Sequence, residues 1–255
     1  MASRDDILAF CEELLEPGRF SDAMPNGLQV AGRSDVLRLA TCASPSLMAF
    51  RQAAERGADM LLLHHGLFWE RDPRPIHTLM AGRLRVLLER EINLVAYHLP
   101  LDAHPELGNN ACLARLAGLE ALDFDFARLR SMTLGCLGAL PEPLGIRELS
   151  ARLAKPLEAQ PLLVEAGPTR VRRVGILSGG GGDMDMLLEA RARGCDAFVT
   201  GSLSESGVAA ARELGLNVVA LGHYNSEKLG VRALGDRLVA RFGLEVAHLD
   251  VPNPI

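Results

Sequence analysis

The side chains best suited to chemistry fall in three short phrases: LLLHHG at residues 61–66, YHLPLDAHPE at 97–106 and GHYNSE at 222–227. Together they supply His64, His65, His98, Asp102, His104, His223 and Glu227. Imidazole nitrogens and carboxylate oxygens are competent ligands for zinc, manganese, iron or nickel, and a carboxylate can bridge two ions. His64 and His65 follow the apolar run 60–63 and precede Gly66, so they stand where a buried strand stops and the chain turns. Neighbouring side chains in a regular strand point to opposite faces, but a turn beginning at Gly66 lets both imidazoles approach one cluster. His223 and Glu227 share one face at the start of an expected helix, about one turn apart. Asp102 lies in a loop stiffened by Pro100 and Pro105 and either ligates a metal or caps a turn. Taken singly, each group has a plain structural reading. Their joint occurrence at three strand ends favours a metal site formed by His64, His65, Asp102, His223 and Glu227. Such a set exceeds the needs of one tetrahedral ion and predicts two divalent ions. His98 and His104 are the candidates for proton transfer.

To bring these phrases together the chain needs strands that end on a common edge, where open α/β sheets collect ligands. After an amphipathic opening helix over 5–15, ended by Pro17-Gly18, apolar runs predict strands near 37–42, 60–63, 94–97, 174–177, 197–200 and 218–221. Helices are expected near 45–56, 80–90, 109–117, 184–193, 207–214 and 226–241. The order repeats: RGADMLLLHHG and INLVAYHLPLD in the first half answer RGCDAFVTGS and LNVVALGHYNSE in the second. Asp59 aligns with Asp196, and His64-His65 with Gly201-Ser202. With a one-residue insertion, His98 aligns with His223 and Asp102 with Glu227. The expected fold is α/β, with duplicated βαβ units forming mostly parallel sheets and a small inserted α/β lobe. The first repeat spans 1–125, the lobe 126–170 and the second repeat 171–255. Within the lobe, 131–165 reads as strand, helix and strand around a turn at Pro141–Pro143.

Several groups read as structural. Asp59 and Asp196 precede buried strands as turn caps, and Asn109 and Asn110 resemble a helix N-cap and its neighbour. His77 and His248 lie away from the three phrases and read as structural or exposed. The run SGGGGDMD at 178–185 follows a strand and precedes a helix. It is either an anion-binding turn or a tight connection needing positive φ.

Composition limits the partners. The chain has 255 residues, 48% of them apolar, enough to bury one large core or two modest ones. No apolar run approaches the roughly 20 residues of a membrane helix. The opening MASRDDILAFCEELLEP lacks the basic region and apolar stretch of an export signal, so a cytoplasmic location is expected. The 5 cysteines are scattered without a CxxC pair and read as buried small residues. A net charge of −5 without basic blocks, and an aromatic content of 4%, disfavour stable nucleic-acid binding. A small nucleotide substrate stays open.

The chain resembles, nearly end to end, the NIF-three-like dinuclear metal-centre family, also labelled GTP cyclohydrolase I type 2 homologues, in its bacterial short form. The resemblance rests on NGLQV at 26–30, LLLHHGLFW at 61–69, AYHLPLDAHPELGNNA at 96–111, SGGG at 178–181, DAFVTG at 196–201, GHYNSE at 222–227 and DVPNP at 250–254. It implies a two-metal site on a toroidal homohexamer, with ligands carried over to His64, His65, Asp102, His223 and Glu227 and with His98 beside the metals. One position departs: members of the family often have Glu after the TG of DAFVTG, where this chain has Ser202. The expected activity is a metal-dependent hydrolase acting on a nucleotide-like or other small substrate. The competing expectation is a non-enzymatic metal carrier or metallocofactor-assembly protein that hands the metal to a partner.

Overall fold

Ser3 starts the first helix because its side-chain oxygen accepts the Asp5 N–H, while Asp5 and Asp6 lie at the positive end of the helix dipole. That helix, α1 (Arg4–Leu15), follows the short strand β1 (Ala2–Ser3) and buries Ile7, Cys11 and Leu15 on one face. It stops at Glu16, whose φ of 45° is left-handed, before a 3-10 turn over Pro17–Arg19. The computed structural model describes residues 1–129 and 132–255. It divides the chain into two units, Met1–Leu101 with Gly230–Pro252 and Asp102–Leu229 with Asn253–Ile255.

The first unit continues through β2 (Gly27–Val30), β3 (Asp35–Val36), β4 (Arg38–Cys42), α2 (Leu47–Glu55), β5 (Met60–Leu63), α3 (Thr78–Glu89) and β6 (Asn93–Ala96). α4 (Leu99–Ala103) carries the chain across the division. The second unit holds α5 (Asn109–Ala117), β7 (Glu120–Leu129), β8 (Met132–Gly145), α6 (Ile146–Leu157), β9 (Leu162–Val164), β10 (Arg170–Leu177), α7 (Met184–Ala192), β11 (Ala197–Thr200), α8 (Glu205–Leu214) and β12 (Asn217–Ala220). α9 (His223–Phe242) then crosses back, and β13 (Glu245–His248) completes the first unit.

Each unit is built on three parallel strands joined by helices, β4-β5-β6 in one and β10-β11-β12 in the other. These strands are wholly buried from Met60 to Leu63 and from Ala197 to Thr200, as strands covered on both faces must be. The first sheet has the order β13-β4-β5-β6-β2 and the second β7-β8-β10-β11-β12-β9. β2 lies antiparallel at one edge of the first sheet; in the second, β7, β8 and β9 all pair antiparallel. Both sheets are therefore mixed: the first is mostly parallel, as expected, with β2 its one antiparallel strand, whereas the second has more antiparallel pairings than parallel ones.

The expected inserted lobe is instead part of the second sheet: β8 pairs with β10 and β9 with β12. The expected turn at Pro141–Pro143 lies inside β8. Proline has no N–H for the ladder, and the pairing with β10 accordingly slips between Val171 and Arg173, on either side of these prolines. Ser131, the first residue of that expected segment, lies outside the described residues. The last expected repeat does not close on itself either, because β13 pairs parallel with β4, Glu245 opposite Arg38.

The internal repeat extends to individual hydrogen bonds. Asp59 Oδ2 accepts the N–H groups of Leu37 and Arg38 at 2.9 Å each, and Asp196 Oδ2 accepts those of Arg172 and Arg173 at 2.9 Å each. Asn93 accepts the Gly32 N–H and donates to the Asp59 carbonyl; Asn217 accepts the Gly167 N–H and donates to the Asp196 carbonyl. These Asp and Asn pairs hold the chain at the strand ends away from the histidines. Separate cores cover the sheets: Phe50, Leu61, Leu63 and Leu87 in the first unit, and Leu149, Leu153, Val174 and Val199 beside α5 and α6 in the second. Among the described residues no helix is long and apolar enough to cross a membrane.

Candidate metal centre

In the first unit the site is built where β4, β5 and β6 end. The N–H groups of His64 and His65 both reach the Ala43 carbonyl, at 3.2 and 2.9 Å, so the chain has left strand geometry at this pair. The two rings accordingly lie on one side, with centroids 4.7 Å apart. His98 follows β6, its ring 5.1 Å from His64 and 5.5 Å from His65. One ring nitrogen from each of the three lies within 4.8 Å of the others. Every ring is anchored through Nδ1: His64 on the Tyr97 carbonyl at 3.2 Å, His65 on Ser44 Oγ at 3.0 Å, His98 on Asp22 Oδ1 at 2.9 Å. Bonds of this kind fix ring orientation and tautomer in metal-ligating histidines. Trp69 packs beside them, 5.2 Å from His98 and 6.1 Å from His65 by centroid.

The second unit has its own group of candidate donors, at the ends of β10 and β12. α9 starts at His223, three residues earlier than the sequence pattern suggests, so His223 and Glu227 belong to one helix. His223 Nε2 lies 3.0 Å from Glu227 Oε2. Gly222, at φ +91°, is the inserted residue that lets His223 take the place of His98 in the repeat. Asp102 and Glu227 are 6% and 4% exposed, and a carboxylate oxygen of one lies within 4.8 Å of an oxygen of the other. Asp102 Oδ1 accepts Asn109 Nδ2 at 2.8 Å and the Ser178 hydroxyl at 3.3 Å. Asn110 donates to the Asp102 carbonyl and accepts the Ser178 N–H. Asn109 is thus not the cap of α5, a place taken by Gly108; both asparagines are spent on orienting Asp102 and its neighbours.

The glycine run is a tight connection. Gly179 has φ +65°, and a Cβ there would lie 2.0 Å from Glu227 Oε1 and 3.4 Å from His223 Nε2. Its N–H is held by Ser226 Oγ, which itself donates to the His223 carbonyl. The absent side chain leaves room for the carboxylate. Two buried carboxylates so close, with the His223 imidazole beside one of them, form an oxygen and nitrogen donor set that a cation would complete. The donor set of each unit therefore fits a hard or borderline divalent ion.

His104 is placed differently from the other candidates. Its Nδ1 accepts the N–H groups of Glu106 and Leu107, both at 3.1 Å, which makes it the cap of the following turn. His77 caps α3 through the Met80 N–H, and His248 bridges Thr41 and Asp236. Asp22, Asn26, Ser44, Ser178 and Gly179 carry the orientation of the candidate ligands; Asn26, Ser178 and Gly179 fall in the motifs NGLQV and SGGG, whereas Asp22 and Ser44 were not singled out by the sequence. Burial raises the pKa of every cysteine thiol, to about 12 at Cys11 and Cys136 and about 11 at Cys195, so none is a ready thiolate ligand.

The chain has similar proteins of known sequence and structure. The chain is 41% identical over 244 residues to the GTP cyclohydrolase 1 type 2 homolog of Pseudomonas aeruginosa, covering 95% of each chain. To the protein of the same name from Haemophilus influenzae it is 39% identical over 242 residues, 94% of each. Its fold matches the solved structure of protein ybgI, described as of unknown function, with a TM-score of 0.92 and 37% identity over 100% of both chains. It likewise matches TTHA1606 from Thermus thermophilus, with a TM-score of 0.89 and 37% identity over 100% of both. With residues 2–254 matching its profile, the chain belongs to the Duf34/NIF3 (NGG1p interacting factor 3) family.

Proposed function

We propose that this protein is a metal-dependent hydrolase in which His64, His65, Asp102, His223 and Glu227 hold two divalent ions. The observation that carries this reading is the anchoring of the donors within each unit. His64 and His65 are held at Nδ1 by the Tyr97 carbonyl and Ser44, and Asp102 at Oδ1 by Asn109 and Ser178. Such outer partners orient first ligands in metal sites and are wasted on a merely polar strand end. The paired carboxylates of the second unit supply negative charge, and the imidazoles of the first supply neutral donors. This combination suits zinc, manganese, iron or nickel.

Two ions in such a site would lower the pKa of a bound water and polarise a carbonyl or phosphoryl oxygen. The chain's own contribution is to orient and to move protons. His98, with Nδ1 committed to Asp22, offers Nε2 for proton transfer beside His64 and His65. Trp69 packs beside His65 and His98 on that side. A small, nucleotide-like substrate is favoured by the name its relatives carry, and a homohexamer by the family resemblance.

The test combines metal analysis of the purified full chain with a hydrolysis screen over nucleotides, cyclic nucleotides and small amides. Two ions per chain and a turnover abolished in His64→Ala are expected. Transfer of metal to an acceptor protein without any turnover contradicts the hydrolase reading and favours a carrier.

A further inference from the structure

Asp22 is tied through both carboxylate oxygens. Oδ1 accepts His98 Nδ1 at 2.9 Å, and Oδ2 accepts the Leu99 N–H at 3.1 Å and Asn26 Nδ2 at 3.1 Å. Asn26 in turn accepts the His98 backbone N–H through Oδ1 at 2.8 Å, which fixes the end of its amide that faces Asp22. The Asp22 side chain is only 3% exposed and that of His98 18%. Burial alone would raise the Asp22 pKa. The hydrogen bond and charge of His98, with the Asn26 and Leu99 donors, outweigh it and hold the carboxyl below its ordinary value. Asp22 is therefore an acceptor only, and a neutral imidazole facing it must carry its proton on Nδ1.

We infer that Asp22 is a positioning residue that locks His98 in the Nδ1–H tautomer, leaving Nε2 as the ring's proton acceptor beside His64 and His65. The significance of this tautomer rests on the proposed hydrolase reading; the tautomer itself does not. The amide of Asp22→Asn would face two donors, Leu99 N–H and Asn26 Nδ2, on one side. Its oxygen is drawn there and its NH₂ turns to His98, whose Nδ1 must then accept. The proton moves to Nε2, the same logic by which an Asp-to-Asn change in a catalytic triad traps the wrong tautomer.

The experiment is magic-angle-spinning NMR of the sedimented full chain, zinc-loaded, with ring-¹⁵N histidine, which reads the protonation of each ring nitrogen directly. The His98 signals are assigned by their loss in His98→Gln. Nδ1 protonated in the wild type and Nε2 protonated in Asp22→Asn is the expected result, with zinc content unchanged. A wild-type ring protonated on Nε2, an Asp22→Asn spectrum identical to wild type, or zinc lost from Asp22→Asn each overturns the inference. Should Asp22→Asn fail to fold, the wild-type spectrum alone decides. A wild type that takes up no zinc contradicts the proposed function while leaving the tautomer readable.

Discussion

Replacing Gly179 by alanine isolates the close approach on which the second-unit donors depend. The new Cβ would stand 2.0 Å from Glu227 Oε1, so the carboxylate must retreat by about 1.4 Å to reach ordinary contact. Metal–oxygen bonds tolerate errors of only about 0.2 Å, so a retreat of this size removes Glu227 from any ion it holds. The backbone adds its own cost, since φ is +65° and a left-handed alanine is disfavoured by about 1–2 kcal/mol. Displacing a buried side chain adds a further 1–3 kcal/mol or so. Zinc affinity is expected to fall at least roughly 100-fold, and the metal-free unfolding midpoint by roughly 5–10 °C. Gly180→Ala is the control. The nearest atom to its Cβ is His223 Cε1 at 4.0 Å, the glycine is exposed, and stability should change by no more than about 0.5 kcal/mol. Calorimetric zinc titration and thermal unfolding of both variants give the answer. Equal zinc affinity in Gly179→Ala and Gly180→Ala would refute the placement of Glu227 as a ligand.

Other perturbations separate the site from the scaffold. Asp102→Ala and Glu227→Ala should each lose metal while keeping the fold. Asp196→Ala should keep metal but lose about 1–3 kcal/mol, because two strand N–H groups lose a charged acceptor; metal titration beside unfolding distinguishes them. Stability should fall at alkaline pH. Thiols raised to about 12 at Cys11 and Cys136 stabilise the fold fully below the unfolded value near about 8.5, and that stabilisation is lost as pH climbs through the folded value. Cys136→Ala should reduce the slope of stability against pH between these limits by about 1.4 kcal/mol per pH unit, and an unchanged slope contradicts a buried neutral thiol. Light scattering should give a particle about six times the 27.5 kDa chain mass, and a monomer at working concentration would overturn the ring assembly.

Much of the fold was legible because its central strands are short apolar runs between strong punctuation. β5 and β11 lie where the pattern places them, each bounded by Asp on one side and by His or Gly on the other. Edge strands were not legible. β2 has a half-exposed GLQV pattern, and β13 pairs with a strand some two hundred residues away in sequence, which no local periodicity reports. The prolines of β8 read as a turn because proline usually breaks a ladder, and only the bulge in its pairing admits them there. At the site, the histidines and carboxylates declare themselves by type and by repeated spacing. Asp22 does not: one aspartate in SDAMPN looks like a turn residue until the fold brings it to His98. Gly179 was visible only as one of four glycines, with no sign of which one the carboxylate requires.

The most direct measurement is anomalous scattering from crystals of the zinc-loaded chain. Two peaks per chain are expected, with His64, His65, Asp102, His223 and Glu227 as their ligands at roughly 2.0–2.2 Å. A single peak, or peaks on other residues, would contradict it.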